Sequence, residues 1–185
     1  MSKPIVLFGL HGSLIDLSAA REDSLKTVLQ AEIKAEIKQE IREAANSGFS
    51  QLLEEKYHKT IKNYWNLLDS ALESKTDFED FSFLNRQQET FRFAVLSSFP
   101  NQLLFKTLNK LNCLDCFEMI LGGDDLTFTP PYRNSFKPFQ DYFREKSICY
   151  LHTEPNRLLI ARVQGLKTKS LTGSLAIKDY LLKPK

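Results

Sequence analysis

The sequence predicts an α/β fold in which helices flank a parallel β-sheet. Short apolar runs that end at glycine or polar residues recur along the chain, as expected of strands buried on both faces. Segments with helical spacing separate these runs, and strands joined through helices pair in parallel with right-handed crossovers. With 185 residues, of which 42% are hydrophobic, the chain is long enough to bury one compact core.

Five strands are predicted, each from a short run between helical segments. The first run begins at Ile5, is apolar throughout and ends at Gly9. The third run is closed by Gly122 and Gly123, and the fifth follows the helix that Gly165 ends. The predicted strands cover residues 5–8, 93–96, 117–121, 148–151 and 167–171.

Helices are predicted in the intervals between the strands. Pro100, Pro138 and Pro155 each lie in a first turn, where the missing N–H of proline breaks no helical hydrogen bond. Gly165 occupies the C′ position after one helix, a position that favours a left-handed backbone. The predicted helices cover residues 18–69, 100–111, 137–146, 155–164 and 175–182, and residues 124–136 are predicted to form a loop.

The long helical segment after the first strand contains a four-residue repeat. On a helix the repeat stacks Ile33, Ile37 and Ile41 into one stripe. Burial of each isoleucine stabilises by roughly 1.5–3 kcal/mol, which outweighs the repulsion of like charges four residues apart. We therefore expect a small helical module with a buried stripe. The alternative is that the stripe, or the edge formed by Tyr64 and Trp65, is a surface for self-association or for a protein partner.

Charge and cysteine content exclude several classes of protein. Lys and Arg number 25 against 23 Asp and Glu, so we expect no broad positive surface for nucleic acid or an anionic membrane. No apolar run is long enough for a signal peptide or a membrane span. Three cysteines indicate a reducing cytoplasm, and we expect Cys113 and Cys116 to be buried apolar residues rather than a redox or zinc site.

Ligands bind at the carboxyl ends of the strands in open parallel sheets. Four segments at these positions resemble, in order, the four motifs of the haloacid dehalogenase (HAD) superfamily of phosphohydrolases. The first family motif is a strand followed by Asp, any residue, Asp, Gly, Thr and an apolar residue. The second carries Thr or Ser, the third Lys before Pro, and the fourth two further acids. The segments are residues 6–14, Ser97, residues 136–143 and residues 149–156, the last followed by a helix that ends at Gly165.

The resemblance implies a Rossmann-like core of residues 1–17 and 80–185, with a helical cap at residues 18–79 inserted after the first strand. In that family the first Asp attacks phosphorus and forms an aspartyl-phosphate. The second Asp is the general acid and base. The Thr or Ser and the Lys hold the phosphoryl oxygens, and the acids of the fourth motif bind Mg²⁺ together with the first Asp.

This sequence departs from the family at every acidic position. Gly9 stands at the position of the nucleophile and His11 at that of the acid and base, while His152 and Asn156 replace the acids of the fourth motif. An aspartyl-phosphate cannot form without the aspartate, and Mg²⁺ prefers anionic oxygen ligands. We therefore expect a pseudoenzyme without Mg²⁺ or another cofactor, which acts as a binding or regulatory module. The alternative is a divergent hydrolase with residual activity on small phosphomonoesters.

The replacements predict a more positive pocket than in the family. Ser97 and Lys137 remain, and two imidazoles with an unperturbed pKa near 6.5 take the place of acids. One hypothesis is that Ser97, Ser98, Lys137 and backbone N–H groups bind phosphate, or a phosphorylated ligand, without metal and more tightly as the pH falls.

Two alternatives to this phosphate site stay open. The first is that Lys137 pairs with an acid and the pocket is unused; its partner would be Asp124, Asp125 or Glu154. The second is a transition-metal site at His11 and His152, with Glu154 or Asn156 as a third ligand, which is a weak constellation because few ligands converge. We expect His58 to be solvated on a helix face.

Overall fold

The computed structural model describes residues 3–29, 61–125, 134–144, 147–171 and 175–182. Its sheet has five strands in the order β3-β2-β1-β4-β5, and every neighbouring pair is parallel. The predicted α/β fold is confirmed, and each predicted strand is found within two residues of its predicted bounds. The strands are β1 (Ile5–Gly9), β2 (Arg92–Leu96), β3 (Met119–Leu121), β4 (Ile148–His152) and β5 (Lys167–Ser170).

The part of the chain that the structure describes contains seven helices. A short helix from Phe83 to Gln87 is not in the sequence prediction. The Asp80 carboxylate precedes it and accepts hydrogen bonds from the Ser82 N–H and hydroxyl, each 2.9 Å long. The helices are α1 (Ser18–Leu29), α2 (Ile61–Ser74), α3 (Phe83–Gln87), α4 (Asn101–Lys110), α5 (Lys137–Phe143), α6 (Pro155–Val163) and α7 (Leu175–Leu182).

The central strand β1 is buried along its whole length, as its apolar sequence predicts. Side chains alternate across a strand, so Ile5 and Leu7 face one side of the sheet while Val6 and Phe8 face the other. On the first side, a cluster of aromatic and aliphatic residues joins the sheet to α5 and α6. Its buried members are Ile5, Leu7, Ala94, Leu96, Phe136, Phe139, Phe143, Ile148, Tyr150, Leu158, Ala161 and Leu166.

The chain divides into two compact units, Met1–Asp16 with Phe78–Lys185, and Leu17–Asp77. In the second unit α1 packs against α2, and Arg21 Nε donates a 3.3 Å hydrogen bond to the hydroxyl of the buried Tyr64. Trp65 is half-buried, with its ring centroid 4.8 Å from that of Tyr64. The isoleucine stripe and His58 lie outside the described residues, so their predicted roles stay predictions.

Cys113 and Cys116 are both buried and not joined in a disulfide, which confirms the prediction of buried apolar residues. Burial raises the pKa of Cys113 well above its usual range and that of Cys116 to about 11, so both stay protonated near neutral pH. The inferred cytoplasmic location stays a prediction. Among the described residues, none of the helices has the length and apolar character that a membrane span requires.

Candidate functional site

The carboxyl ends of β1, β2 and β4 meet at one edge of the sheet. Gly9, the last residue of β1, is in register with Leu96 of β2, and Phe8 is in register with Leu151 of β4. The next residues along β2 and β4 are Ser97 and His152. Parallel pairing therefore brings three of the predicted site positions to neighbouring strand ends.

The turn after β1 is held by the buried Ser13. Its hydroxyl accepts a 3.2 Å hydrogen bond from the N–H of Gly9 and donates one to the carbonyl of Leu151, which ties β1 to β4. Gly12 follows with a positive φ of 84°, a conformation that L-residues rarely adopt. Its carbonyl accepts a 2.9 Å hydrogen bond from the N–H of Thr153. The first turn is thus fixed against the segment that follows β4.

The side chain of His152 fills the space beside Gly9 and Gly12. It is only 1% exposed. A Cβ on Gly9 would lie 2.6 Å from His152 Cδ2 and 2.9 Å from its Nε2. A Cβ on Gly12 would lie 2.7 Å from His152 Cε1. The imidazole therefore occupies the place that any side chain at position 9 would have to enter.

The hydrogen bonds of His152 define its protonation state. Its Nδ1 accepts a 2.9 Å bond from the N–H of Glu154, so the neutral ring carries its proton on Nε2. The ring also hydrogen-bonds to the backbone of His11. Burial, and after it the charge of Arg157, lower the pKa of His152 to about 3. The expectation that this imidazole gains charge in mild acid is therefore wrong, because the expectation used the pKa of an exposed histidine.

Arg157, in the first turn of α6, is a site residue that the sequence analysis missed. Its Nε lies 2.8 Å from Glu154 Oε2, and its guanidinium also hydrogen-bonds to the hydroxyl of the fully buried Tyr150. Burial is the largest single influence on the Glu154 carboxyl and raises its pKa, but the opposing influences, led by the charge and the hydrogen bond of Arg157, together outweigh it and the net shift is downward. The i,i+3 spacing of Glu154 and Arg157 is a sequence signal for their pairing; the contact with Tyr150 has none.

His11 is half-buried, and its Nδ1 lies 3.8 Å from Asp16 Oδ1. That separation is too long for a hydrogen bond. Among the described residues, no group of three or more His, Cys, Asp or Glu side chains is arranged to hold a metal ion. The weak alternative of a transition-metal site at His11 and His152 finds no support, because His152 Nδ1 is already an acceptor for a backbone N–H.

Magnesium does not fit the residues present at this edge. Gly9 offers no carboxylate, and the buried imidazole of His152 replaces an oxygen ligand. Asn156 lies exposed in the first turn of α6. The chemistry of the donor set thus disagrees with a hard dication.

Ser97 and Ser98, the predicted phosphate-binding serines, follow β2 directly. Ser97 is buried; its Oγ accepts a 3.1 Å hydrogen bond from the N–H of Phe99, and its own N–H bonds to the carbonyl of Leu121. Ser98 is half-buried, and its carbonyl oxygen packs closely against Gly123. The Ser97 hydroxyl thus has a local role in turning the chain after β2.

Lys137, the predicted cation of the phosphate site, is 63% exposed at the start of α5. Its Nζ bonds to both carboxylate oxygens of Asp141, at 2.7 and 2.9 Å. The named alternatives for its partner, Asp124, Asp125 and Glu154, are therefore wrong, because the partner lies one turn further along the same helix. None of these contacts tests whether Ser97, Ser98 and Lys137 bind phosphate, but the ion pair of Lys137 with Asp141 and the neutral His152 argue against it.

Comparison of the whole chain with solved structures finds similar folds. YfnB of Bacillus subtilis, a HAD-hydrolase bound to magnesium, matches with a TM-score of 0.67 at 15% identity, covering 92% of this chain and 89% of the other. CbbY of Rhodobacter sphaeroides, in complex with phosphate, matches with a TM-score of 0.69 at 13% identity, covering 93% of this chain and 87% of the other. The β-phosphoglucomutase of Clostridium difficile matches with a TM-score of 0.72 at 11% identity, covering 96% of this chain and 88% of the other.

Neither a protein-family model nor a curated protein matches the sequence. At identities of 11–15% the structural likeness establishes the fold. The chain therefore has the HAD-like fold, a Rossmann-like parallel sheet flanked by helices, as the motif resemblance implied. Its chemistry depends on the side chains at the strand ends.

Proposed function

We propose that this protein has the HAD-like hydrolase fold without the hydrolase reaction and acts as a binding or regulatory module. The observation that carries the proposal is the end of β1, where Gly9 has no side chain and the buried imidazole of His152 takes the adjacent space. A covalent phosphoryl transfer in this fold needs a carboxylate at that point. A neutral imidazole with both ring nitrogens in hydrogen bonds cannot supply one.

A second route to hydrolysis would use His11 as the base that activates water. The carboxylate of Asp16 lies 3.8 Å from its Nδ1, which is longer than a hydrogen bond. Positions 9 and 152 supply no acidic side chain to form a phosphoryl-enzyme or hold a metal. Non-catalytic binding is therefore the function that this site favours.

A phosphatase assay on small phosphomonoesters, with Mg²⁺, Mn²⁺ and Zn²⁺ supplied separately, tests the proposal. We expect no turnover by the wild type. Turnover that Ser97→Ala or Lys137→Ala abolishes would contradict the proposal and establish the divergent hydrolase instead.

A restored variant provides the positive control. Aspartates introduced together at positions 9, 11, 152 and 156 return all four missing carboxylates. We expect metal-dependent hydrolysis in that variant alone, because the chain shares its fold with solved structures of hydrolases. If the wild type hydrolyses these esters as fast as the restored variant, the carboxylates are not what the wild type lacks.

A further inference from the structure

The end of β1 is closely packed against His152. His152 Cδ2 and Nε2 would lie 2.6 and 2.9 Å from a Cβ on Gly9, and the hydroxyl of Tyr150 would lie 3.3 Å from it. Real Cβ atoms almost never come within 3.0 Å of another heavy atom, so a side chain at position 9 forces the imidazole to move.

Two hydrogen bonds hold the imidazole in place. Its Nδ1 accepts the N–H of Glu154, and its ring hydrogen-bonds to the backbone of His11. Gly12 leaves room for the ring on its other side, since a Cβ there would lie 2.7 Å from Cε1. A ring that moved would lose both hydrogen bonds inside a buried site, where unpaired polar groups are costly.

We infer that His152 is a built-in occupant of this site, which closes it to a phosphoryl group from within, and that the closure depends on Gly9 being glycine. The inference rests on the proposed function in that it concerns the same strand end and explains why the site is shut. On this inference, two residues on neighbouring strands, Gly9 and His152, together keep a phosphoryl group out of the site. An acidic residue at position 9 alone then does not reopen the site, because the imidazole still fills it.

A double-mutant cycle in thermal stability tests the coupling, with Gly9→Ala as the probe because it adds a Cβ and no charge. For a chain of this size, overpacking in a core corresponds to a fall in Tm of roughly 2–12 °C. We expect that fall when Gly9→Ala is made in the wild type. In a His152→Ala background the added Cβ meets no ring, so we expect a change of less than about 2 °C.

Gly123→Ala is the matched control, because its Cβ would lie 2.6 Å from the backbone carbonyl of Ser98 rather than from the imidazole. Its effect on Tm should be equal in the two backgrounds. If His152→Ala does not fold, His152→Ser offers a second background with a polar group at the same place. Equal effects of Gly9→Ala in both backgrounds, or no effect in the wild type, would overturn the inference.

The cycle reads out stability and therefore separates this inference from the proposed function. Phosphatase activity in the wild type would refute the proposed function, while a coupled cycle would still show His152 packed into the site. Additive effects in an inactive wild type would refute the closure and leave the proposed function standing.

Discussion

Mild acid is expected to destabilise this protein through His152. In the folded chain burial lowers the pKa of this histidine from 6.5 to about 3, whereas in the unfolded chain it titrates normally. Below a pH of about 6.5 His152 binds a proton in the unfolded state but stays neutral in the folded state. The stability that depends on a neutral His152 is therefore fully present above the pKa of this histidine in the unfolded state. It is lost as the pH falls towards the pKa of the histidine in the folded state.

The magnitude follows from the two pKa values. At pH 5 the linkage lowers the free energy of unfolding by about 2 kcal/mol, and at pH 4 by about 3 kcal/mol. Because His152 is 1% exposed, solvent screening reduces this effect little. A loss of this size is a large fraction of the roughly 5–15 kcal/mol by which domains are stable.

Urea unfolding at about pH 7.5 and pH 5 measures the effect, in the wild type and in His152→Asn. The asparagine does not titrate, and its amide oxygen can accept the N–H of Glu154 as Nδ1 does. Acids elsewhere contribute equally to both proteins, so the difference between the two pH-dependent losses isolates His152. Leu158→Ala, which removes buried apolar atoms from the same core, controls for a general loss of packing.

We expect the wild type to lose about 2 kcal/mol more than His152→Asn between these two pH values. Leu158→Ala should be less stable at both pH values but should keep the wild-type loss. Equal losses in the wild type and His152→Asn would refute the reasoning, because they would mean that the imidazole is protonated as readily in the folded as in the unfolded chain.

The remaining predictions concern two charged residues. Arg157→Met should lower the free energy of unfolding, measured in urea, by roughly 1–3 kcal/mol, because Glu154 and Tyr150 lose a buried partner. The control Arg162→Met, on the exposed side of the same helix, should change the free energy of unfolding little. In calorimetry with EDTA, millimolar phosphate should not bind at about pH 7.5 or pH 6, because His152 stays neutral and Asp141 holds Lys137; heat that Lys137→Ala abolishes would contradict this.

The strands were predictable because burial on both faces leaves a direct mark in the sequence. Every residue of β1, from Ile5 to Gly9, is buried, and a short uninterrupted apolar run that ends at glycine is typical of such a strand. Helix α3 was missed because five residues are too few to show a helical period. Helix α5 ends at Phe143, because Arg144 adopts a left-handed backbone without the glycine that usually marks such an end.

The positions of the candidate site were predictable from motif order, but their environment was not. The pairing of Lys137 with Asp141 is an i,i+4 contact that the sequence contained. The direction of the His152 ring depends on packing between β1 and β4, which no local pattern records. The predicted gain of positive charge failed for this reason, since burial rather than residue type controls whether an imidazole is protonated.

The packing at the end of β1 gives a physical reason why Gly9 and His152 occur together. A glycine in a buried strand loses side-chain contacts and costs conformational entropy on folding. Here the neighbouring strand supplies the missing atoms, because the His152 ring lies where the side chain of residue 9 would be. The same ring with any larger residue at position 9 would be overpacked. The glycine at position 9 and the burial of the imidazole are therefore two halves of one packing arrangement.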